Sequence, residues 1–210
     1  MIVKVCGMRE AENIRAVEQT GADWMGFIFY PRSPRFVPAP PSYLPQSVRR
    51  VGVFVNAGKA DIRERADAFR LDSIQLHGQE LPSLCQQLRE AGLTVIKAFA
   101  PKQAKDFTVT ADYEDSADYF LFDTPTASFG GSGRSFDWIL LQHYTGRTPF
   151  LLSGGLCPDS LEALHQFRHP RWAGIDLNSG FETAPGRKDA QLLQSFITKF
   201  KSHLKKHACL

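Results

Sequence analysis

The chain has 210 residues, of which 43% are hydrophobic and 22% are charged, a composition typical of a globular protein. Its 25 basic and 22 acidic residues leave a net charge of +3, which is too balanced to favour nucleic acid or an anionic membrane as the main partner. No apolar run approaches the roughly 20 residues of a membrane span, and the first residues lack the pattern of a signal peptide. We therefore expect a cytoplasmic protein that binds neither nucleic acid nor membrane.

The cysteines give no sign of a metal site or of a disulfide framework. Cys6, Cys85, Cys157 and Cys209 lie far apart, and no pair has the CxxC spacing of zinc ligands or of a redox dithiol. Disulfides are also unusual in cytosolic proteins of this size. We expect the cysteines other than Cys6 to be small buried hydrophobic groups.

Short apolar runs alternate with longer amphipathic segments along the chain. The apolar runs predict eight β-strands, at Ile2–Cys6, Trp24–Phe29, Arg50–Val55, Ser73–Leu76, Thr94–Phe99, Tyr119–Phe122, Phe150–Leu152 and Gly174–Asp176. The amphipathic segments predict six helices, at Glu10–Thr20, Ala60–Phe69, Leu81–Ala91, Ser135–His143, Pro158–Gln166 and Asp189–His203. The helical pattern is weak after the second and fifth strands, and prolines interrupt the first of these connections, so short or irregular helices are expected there.

Repeated βα units predict an α/β fold with a parallel sheet and right-handed crossovers. Eight of them close most economically into a (β/α)8 TIM barrel, and the length lies within the roughly 200–250 residues usual for that fold. An open doubly wound sheet is the alternative, but the first strand is followed by Cys6-Gly7-Met8-Arg9 and not by G-x-G-x-x-G. No shift in composition marks a second domain, so we expect a single barrel domain over residues 1–210.

Two neighbouring strands end in small residues that suit an anion. Backbone N–H groups at such turns favour negative charge, and phosphate sites after strands seven and eight recur in this fold. The sequence therefore predicts one phosphate site and a small phosphorylated substrate. Its predicted residues are Ser153, Gly154 and Gly155 after strand seven, and Asn178, Ser179 and Gly180 after strand eight.

A thiol and a carboxylate at strand ends are candidates for a general base and a general acid. Cys6 ends strand one, and a thiolate can remove a proton from carbon if its pKa is lowered. Lys4 points to the same side of the strand and is expected to lower that pKa. Asp123 follows strand six, where desolvation would raise its pKa and suit a proton donor. The alternatives are a core cysteine with Lys4 packed inside the barrel, and an aspartate that caps a turn.

Three further segments near the strand ends carry two interpretations each. Arg35, framed by a proline and an aromatic residue, is either a bidentate clamp for a substrate carboxylate or a solvated loop charge. His77 after strand four is either structural or catalytic. The glycine-rich segment Phe129–Phe136 is either a mobile loop over the site or a flexible connection.

Eight segments, taken in chain order, resemble the phosphoribosylanthranilate isomerase family. They are KVCGM, GADWMGFIFYPRSPRFV, VGVFVN, IQLHGQE, VIKAF, LFDT with GGSGRSFDW, LLSGGL and GIDLNSGFETAPGRKD, and they span residues 3 to 189. The resemblance implies an Amadori rearrangement of N-(5-phosphoribosyl)anthranilate to 1-(2-carboxyphenylamino)-1-deoxyribulose 5-phosphate in tryptophan biosynthesis. It also implies that no cofactor and no metal take part.

The resemblance assigns a role to each matching residue. Asp123 would protonate the ribose ring oxygen, and Cys6 would take the proton from C2′ of the resulting iminium. Arg35 would hold the anthranilate carboxylate, the glycine turns would bind phosphate, and His77 and Asp176 would line the site. The chain departs from the family pattern at Phe181, where a small aliphatic residue is usual, and at Asn178, which we expect to affect substrate affinity only.

Other functions fit the residues less well. Indole-glycerol-phosphate synthase would need a longer N-terminal extension and lysine/glutamate chemistry, and a ribulose-phosphate epimerase would need two histidines and two aspartates as metal ligands. A barrel that binds phosphate without catalysis would not need the intact Cys6, Asp123 and Arg35. The sequence leaves open whether the protein is a monomer or a homodimer, and whether it also accepts the related aminoaldose of histidine biosynthesis.

Overall fold

Eight parallel strands form a closed barrel in the computed structural model, which describes residues 1–123 and 138–207. Each strand pairs with the next, and β8 returns to pair with β1, with Lys4 opposite Asp176 in the register. The predicted α/β barrel and its eight strands are therefore confirmed, with ends that differ by up to two residues. The strands are β1 (Ile2–Val5), β2 (Trp24–Ile28), β3 (Arg49–Phe54), β4 (Ser73–Leu76), β5 (Thr94–Phe99), β6 (Tyr119–Asp123), β7 (Phe150–Ser153) and β8 (Trp172–Leu177).

The helices follow the amphipathic segments with two corrections. Trp138–His143 forms a 3-10 helix where an α-helix was expected, and residues 135–137 of that prediction lie outside the described residues. Pro158–Gln166 divides into a 3-10 turn, Pro158–Ser160, and a short α-helix. The α-helices are α1 (Ala11–Glu18), α2 (Lys59–Phe69), α3 (Pro82–Glu90), α4 (Leu161–Gln166) and α5 (Ala190–His207).

The connections after β2 and β5 are irregular, as the sequence predicts. Residues 29–48, all of them described, contain no helix, because the prolines in this stretch lack backbone N–H donors and restrict their neighbours. A 3-10 helix, Ala104–Tyr113, follows β5. After β8 the chain makes a small antiparallel hairpin of β9 (Glu182–Ala184) and β10 (Arg187–Lys188) before α5.

Side chains on the barrel strands alternate between two apolar layers. The larger layer includes helix residues such as Ile14 and Leu193, so it lies between the barrel and its helices. The smaller layer consists of alternate strand residues, which face the barrel interior; these are Trp24, Val51, Ile96, Ala98, Leu121 and Leu151. The same alternation turns Cys6, Asp123 and Asp176 into the interior at the carboxyl ends of their strands.

No helix among residues 1–123 and 138–207 is long and apolar enough to cross a membrane. The single-domain organisation over the whole chain stays a prediction.

Candidate active site

A cavity of about 310 Å³ opens at the carboxyl ends of the barrel strands. It gathers nine of the residues that the sequence singled out, from five different strands or the turns that follow them. Arg35 and Gly180 are not among the residues that line it. The lining residues are Cys6, Ile28, Val53, Gln75, His77, Asp123, Ser153, Gly154, Gly155, Leu156, Asp176, Asn178 and Ser179.

The thiol of Cys6 is buried against the neighbouring strand. Gly26 lies so close that a Cβ atom there would be 2.7 Å from Cys6 Sγ. Burial raises the pKa of Cys6, and Asp176 adds to this, although Lys4 acts in the opposite direction. Lys4 therefore acts on the pKa of this thiol in the expected direction, but the net pKa is raised and not lowered toward neutrality, because the cost of desolvating a thiolate is the larger effect.

Lys4 and Asp176 form a buried ion pair at the floor of the cavity. Lys4 Nζ donates to both carboxylate oxygens of Asp176, at 3.0 and 2.9 Å, and the lysine is fully buried. Burial alone would lower the pKa of Lys4, but the charges of Asp176 and Cys6 raise it. The ammonium therefore stays charged, and it offers a positive charge to a thiolate at Cys6.

Asp123 contacts His77 across the mouth of the barrel. His77 Nε2 lies 3.3 Å from Asp123 Oδ2. The Asp123 side chain is 38% exposed, so the desolvated carboxylate expected from the sequence is not found. Its position is instead fixed by a hydrogen bond from the imidazole.

Gln75 orients that imidazole, although it was not among the site residues predicted from the sequence. Gln75 Nε2 lies 2.8 Å from His77 Nδ1, and an amide nitrogen can only donate, so in this amide orientation Nδ1 accepts and Nε2 carries the proton toward Asp123. The signal was present in the sequence, because Gln75 is two residues before His77 on β4 and therefore faces the same side. It is also a fully buried polar residue flanked by Ile74 and Leu76 on β4.

Arg35 lies beside the cavity and is held by Glu182. Arg35 Nε and Nη2 donate to the two carboxylate oxygens of Glu182, with a shortest distance of 2.6 Å. The stem of the arginine crosses Gly7, where a Cβ atom would lie 2.7 Å from Arg35 Cδ and where φ is +78°. Glu182 also accepts from Lys188 Nζ at 2.6 Å. Neither Glu182 nor Lys188 was predicted from the sequence as a site residue, since ion pairs between distant segments leave no local pattern.

The two predicted phosphate turns lie side by side. Gly154 and Gly155 have φ of +88° and +64°, a conformation that side chains disfavour. Gly180 packs against the turn after β7, because a Cβ atom there would overlap the carbonyl oxygen of Leu156. Asn178 Oδ1 accepts a hydrogen bond from Lys188 Nζ at 2.7 Å.

Phe181, the departure from the family pattern, points away from this site. Its ring is fully buried in the outer layer, 4.8 Å from that of Phe196. The larger side chain is thus accommodated between β8 and α5 and does not line the cavity. The glycine-rich segment Phe129–Phe136 lies outside the described residues, within residues 124–137.

Comparison with known proteins decides the family. The model of the N-(5'-phosphoribosyl)anthranilate (PRA) isomerase family matches residues 3–199. The chain belongs to this family. The prediction made from the eight sequence segments is therefore confirmed, and with it the assignment to an isomerase.

Two relatives that bear the family's name match this chain over most or all of their length. The chain is 56% identical to the N-(5'-phosphoribosyl)anthranilate isomerase of Phocaeicola vulgatus, covering 97% of this chain and 100% of the relative. It is 52% identical to that of Parabacteroides distasonis, covering 94% of this chain and 92% of the relative.

Solved structures agree in fold. The Thermotoga maritima phosphoribosyl anthranilate isomerase superposes with a TM-score of 0.80 at 34% identity, covering 96% of this chain and 100% of that one. A phosphoribosyl anthranilate isomerase in complex with reduced 1-(o-carboxyphenylamino)-1-deoxyribulose 5-phosphate gives a TM-score of 0.80 at 32% identity and the same coverage. Another structure contains monomers generated from the dimeric T. maritima enzyme, at 32% identity and a TM-score of 0.79, with 96% and 100% coverage.

Proposed function

We propose that this chain catalyses the Amadori rearrangement of N-(5-phosphoribosyl)anthranilate to 1-(2-carboxyphenylamino)-1-deoxyribulose 5-phosphate in tryptophan biosynthesis. Membership of the family supports the reaction, and a relative that binds the reduced product supports the substrate class. The observation that carries the proposal is one cavity that contains a thiol, a carboxylate and two adjacent glycine turns.

Asp123 is the general acid of the proposed reaction. It gives a proton to the ribose ring oxygen, the C1′–oxygen bond breaks, and the nitrogen lone pair forms an iminium. The hydrogen bond from His77 Nε2 occupies Oδ2, so the second oxygen of Asp123 is the one that carries the proton. His77 thereby orients the acid, and Gln75 orients His77.

Cys6 is the general base. Its thiolate takes the proton from C2′ of the iminium, and the C–H electrons form the enolamine, which then tautomerises to the ketone. A buried thiolate is costly, and the Lys4 ammonium beside it supplies the compensating charge. Asp176 keeps Lys4 in place and charged, which gives this cavity residue a positioning role.

The substrate is held at both ends. Backbone N–H groups of the two turns bind the phosphate, through Ser153, Gly154 and Gly155 on one side and Asn178, Ser179 and Gly180 on the other. Arg35 binds the anthranilate carboxylate, as a planar guanidinium suits a bidentate contact.

No observation favours a second function. Among residues 1–123 and 138–207, no group of three or more His, Cys, Asp or Glu side chains is arranged to hold a metal ion, so the epimerase alternative gains no support.

The proposal includes a cytoplasmic location. It leaves monomer and homodimer as alternatives that a sedimentation experiment decides.

The test is the conversion of freshly made phosphoribosylanthranilate, followed by the loss of its fluorescence. We expect the wild-type chain to convert it, and Asp123→Asn to lower turnover by about 10²–10⁴-fold, as for other proton-transfer groups. Asp118→Asn is the matched control, since Asp118 precedes the same strand at its opposite end and pairs with Arg89. Wild-type turnover in Asp123→Asn would contradict the assignment of the acid.

A further inference from the structure

Among the described residues, Glu182 accepts more hydrogen bonds than any other carboxylate at or beside the cavity. Its two oxygens accept from Arg35 Nε at 2.8 and 3.1 Å and from Arg35 Nη2 at 2.6 Å. Oε1 also accepts from Lys188 Nζ at 2.6 Å and from the backbone N–H of Gly186 at 3.0 Å. The side chain is only 5% exposed. A buried carboxylate with two cationic partners is held in one orientation, since charge-assisted hydrogen bonds are short and strong.

The contact uses one particular edge of the guanidinium. A guanidinium has five N–H donors, and a carboxylate can bind either the edge formed by Nε and Nη2 or the edge formed by Nη1 and Nη2. Glu182 takes the first edge. Within residues 1–123 and 138–207, no hydrogen bond is made by Arg35 Nη1. The second edge can therefore receive another carboxylate without displacing Glu182.

The contact of the Arg35 side chain with Gly7 fixes where the Nη1/Nη2 edge lies. The arginine stem crosses Gly7, the residue after Cys6, at a distance that only a glycine permits. The guanidinium is close enough to Cys6 for the thiolate charge to raise the pKa of Arg35, an effect that adds to that of Glu182. The Arg35 guanidinium is therefore next to Cys6, the proposed base.

Glu182 also keeps two cations from repelling each other. Arg35 and Lys188 both contact Glu182, and their like charges repel each other. Burial is the main cause of the lowered pKa of Lys188, and the positive charge of Arg35 lowers it further. With Glu182 ionised, the three side chains together carry a net charge of +1. That charge favours a substrate that brings a carboxylate to Arg35.

We propose that Glu182 is a positioning residue for substrate binding, which holds Arg35 by its Nε/Nη2 edge so that the Nη1/Nη2 edge binds the aromatic carboxylate of the substrate. This inference rests on the proposed function, because it assumes that Arg35 binds the anthranilate end. Glu182 itself does not touch the substrate.

The first test is the split between KM and kcat in Glu182→Gln. Glutamine keeps the shape and loses the charge, so Arg35 is held less firmly. Because the carboxylate contact is the same in the ground state and the transition state, its loss acts on KM. We expect KM to rise about tenfold with kcat within about threefold of wild type. Glu182→Asp keeps the charge and should recover part of the KM. An unchanged KM in Glu182→Gln would overturn the proposal.

A double-mutant cycle with Arg35→Ala tests whether Glu182 acts through Arg35. We expect Glu182→Gln to raise KM by less than about twofold when Arg35 is already alanine, since the residue that it positions is gone. The same tenfold effect in both backgrounds would show that Glu182 acts by another route, and would overturn the proposal.

Inhibition by inorganic phosphate separates positioning from a general disturbance of the β8 turn. Phosphate occupies only the turn end of the site, so its inhibition constant should stay within about twofold in Glu182→Gln, while binding of the reduced product, which also carries the carboxylate, weakens about tenfold. Equal weakening of both ligands would overturn the proposal. If the wild-type chain bound the reduced product but did not convert phosphoribosylanthranilate, the proposed function would be wrong. The comparison of phosphate and reduced-product binding in wild type and Glu182→Gln would still test the role of Glu182.

Discussion

His77 Nε2 lies 3.3 Å from Asp123 Oδ2, so the ends of β4 and β6 are joined above the intervening β5. The imidazole is fixed from behind by Gln75 Nε2, 2.8 Å from Nδ1. These two contacts make a short chain from the barrel interior to the proposed acid. Gln75, the first member of this chain, has no hydrogen-bond partner for its Oε1 atom among the described residues, which is rare for a buried amide.

Replacement of Gln75 by methionine separates function from stability. Methionine has a similar shape and removes the unpaired buried oxygen, so we expect the melting temperature to stay the same or to rise. It also removes the donor to His77 Nδ1, so the imidazole no longer holds Asp123, and kcat should fall roughly tenfold, a part of the ~10²–10⁴-fold that a proton-transfer group contributes. Thermal unfolding and turnover of the same preparation check both halves. A large loss of stability with unchanged kcat would contradict the orienting role.

Because Lys4 and Asp176 form a buried ion pair, removal of one partner should greatly reduce the free energy of unfolding. Lys4→Met leaves Asp176 buried without its counter-charge, and we expect a loss of about 3–5 kcal/mol in the free energy of unfolding. Arg147→Ala is the control, since that arginine is 61% exposed and its ion pairs are worth about 0–1 kcal/mol. Urea unfolding of both variants measures the difference. Equal losses in the two variants would contradict the penalty expected for leaving the Asp176 carboxylate buried without its counter-charge.

Because Gly26 has no side chain, it leaves room for the Cys6 thiol, and we expect the position of that thiol to depend on this glycine. A Cβ atom at residue 26 would be 2.7 Å from Cys6 Sγ and 3.1 Å from Cys6 Cα, closer than side-chain carbons pack. Gly26→Ala should therefore displace the thiol, lower turnover at least tenfold and reduce the melting temperature. Gly58→Ala meets no atom within 4 Å and should leave turnover unchanged. Wild-type turnover in Gly26→Ala would show that the close approach of β1 and β2 does not hold the base.

The ionisation of Glu182 predicts a pH dependence of stability. Burial would raise its pKa, but hydrogen bonds from Arg35 and Lys188 lower it to about 2. The unfolded value is about 4.3, so the folded state binds fewer protons, and this contribution is fully present above about pH 5 and is lost as the pH falls toward 2. The difference in melting temperature between wild type and Glu182→Gln should therefore be largest near pH 7 and should narrow between pH 5 and pH 3. A difference that stays constant over that range would contradict the lowered pKa.

The strands could be predicted because each is an apolar run with a fixed alternation, and the strand ends then indicated Cys6, Asp123 and the glycine turns. The ion pairs could not be predicted. Lys4 and Asp176 are 172 residues apart and meet only because β8 closes the barrel against β1 in one register. Arg35 and Glu182, 147 residues apart, meet because the connection after β2 and the hairpin after β8 lie on either side of β1 at the same end of the barrel.

The pKa of Cys6 could not be predicted for a related reason. The spacing of Lys4 and Cys6 showed that a cation lies near the thiol, but not how deeply both are buried or that Asp176 shares the cation. Burial raises the pKa of Cys6 despite that cation. The 3-10 geometry of Trp138–His143 was missed because its apolar spacing also fits an α-helix.

The turnover of phosphoribosylanthranilate by Cys6→Ala shows whether Cys6 removes a proton from the substrate carbon. Cys85→Ala is the matched control, because Cys85 is also a buried cysteine but packs in α3 away from the cavity. If Cys6 is the base, Cys6→Ala loses about 10²–10⁴-fold in kcat while binding of the reduced product stays within about threefold, and Cys85→Ala keeps wild-type kcat. A wild-type kcat in Cys6→Ala would contradict this role of Cys6.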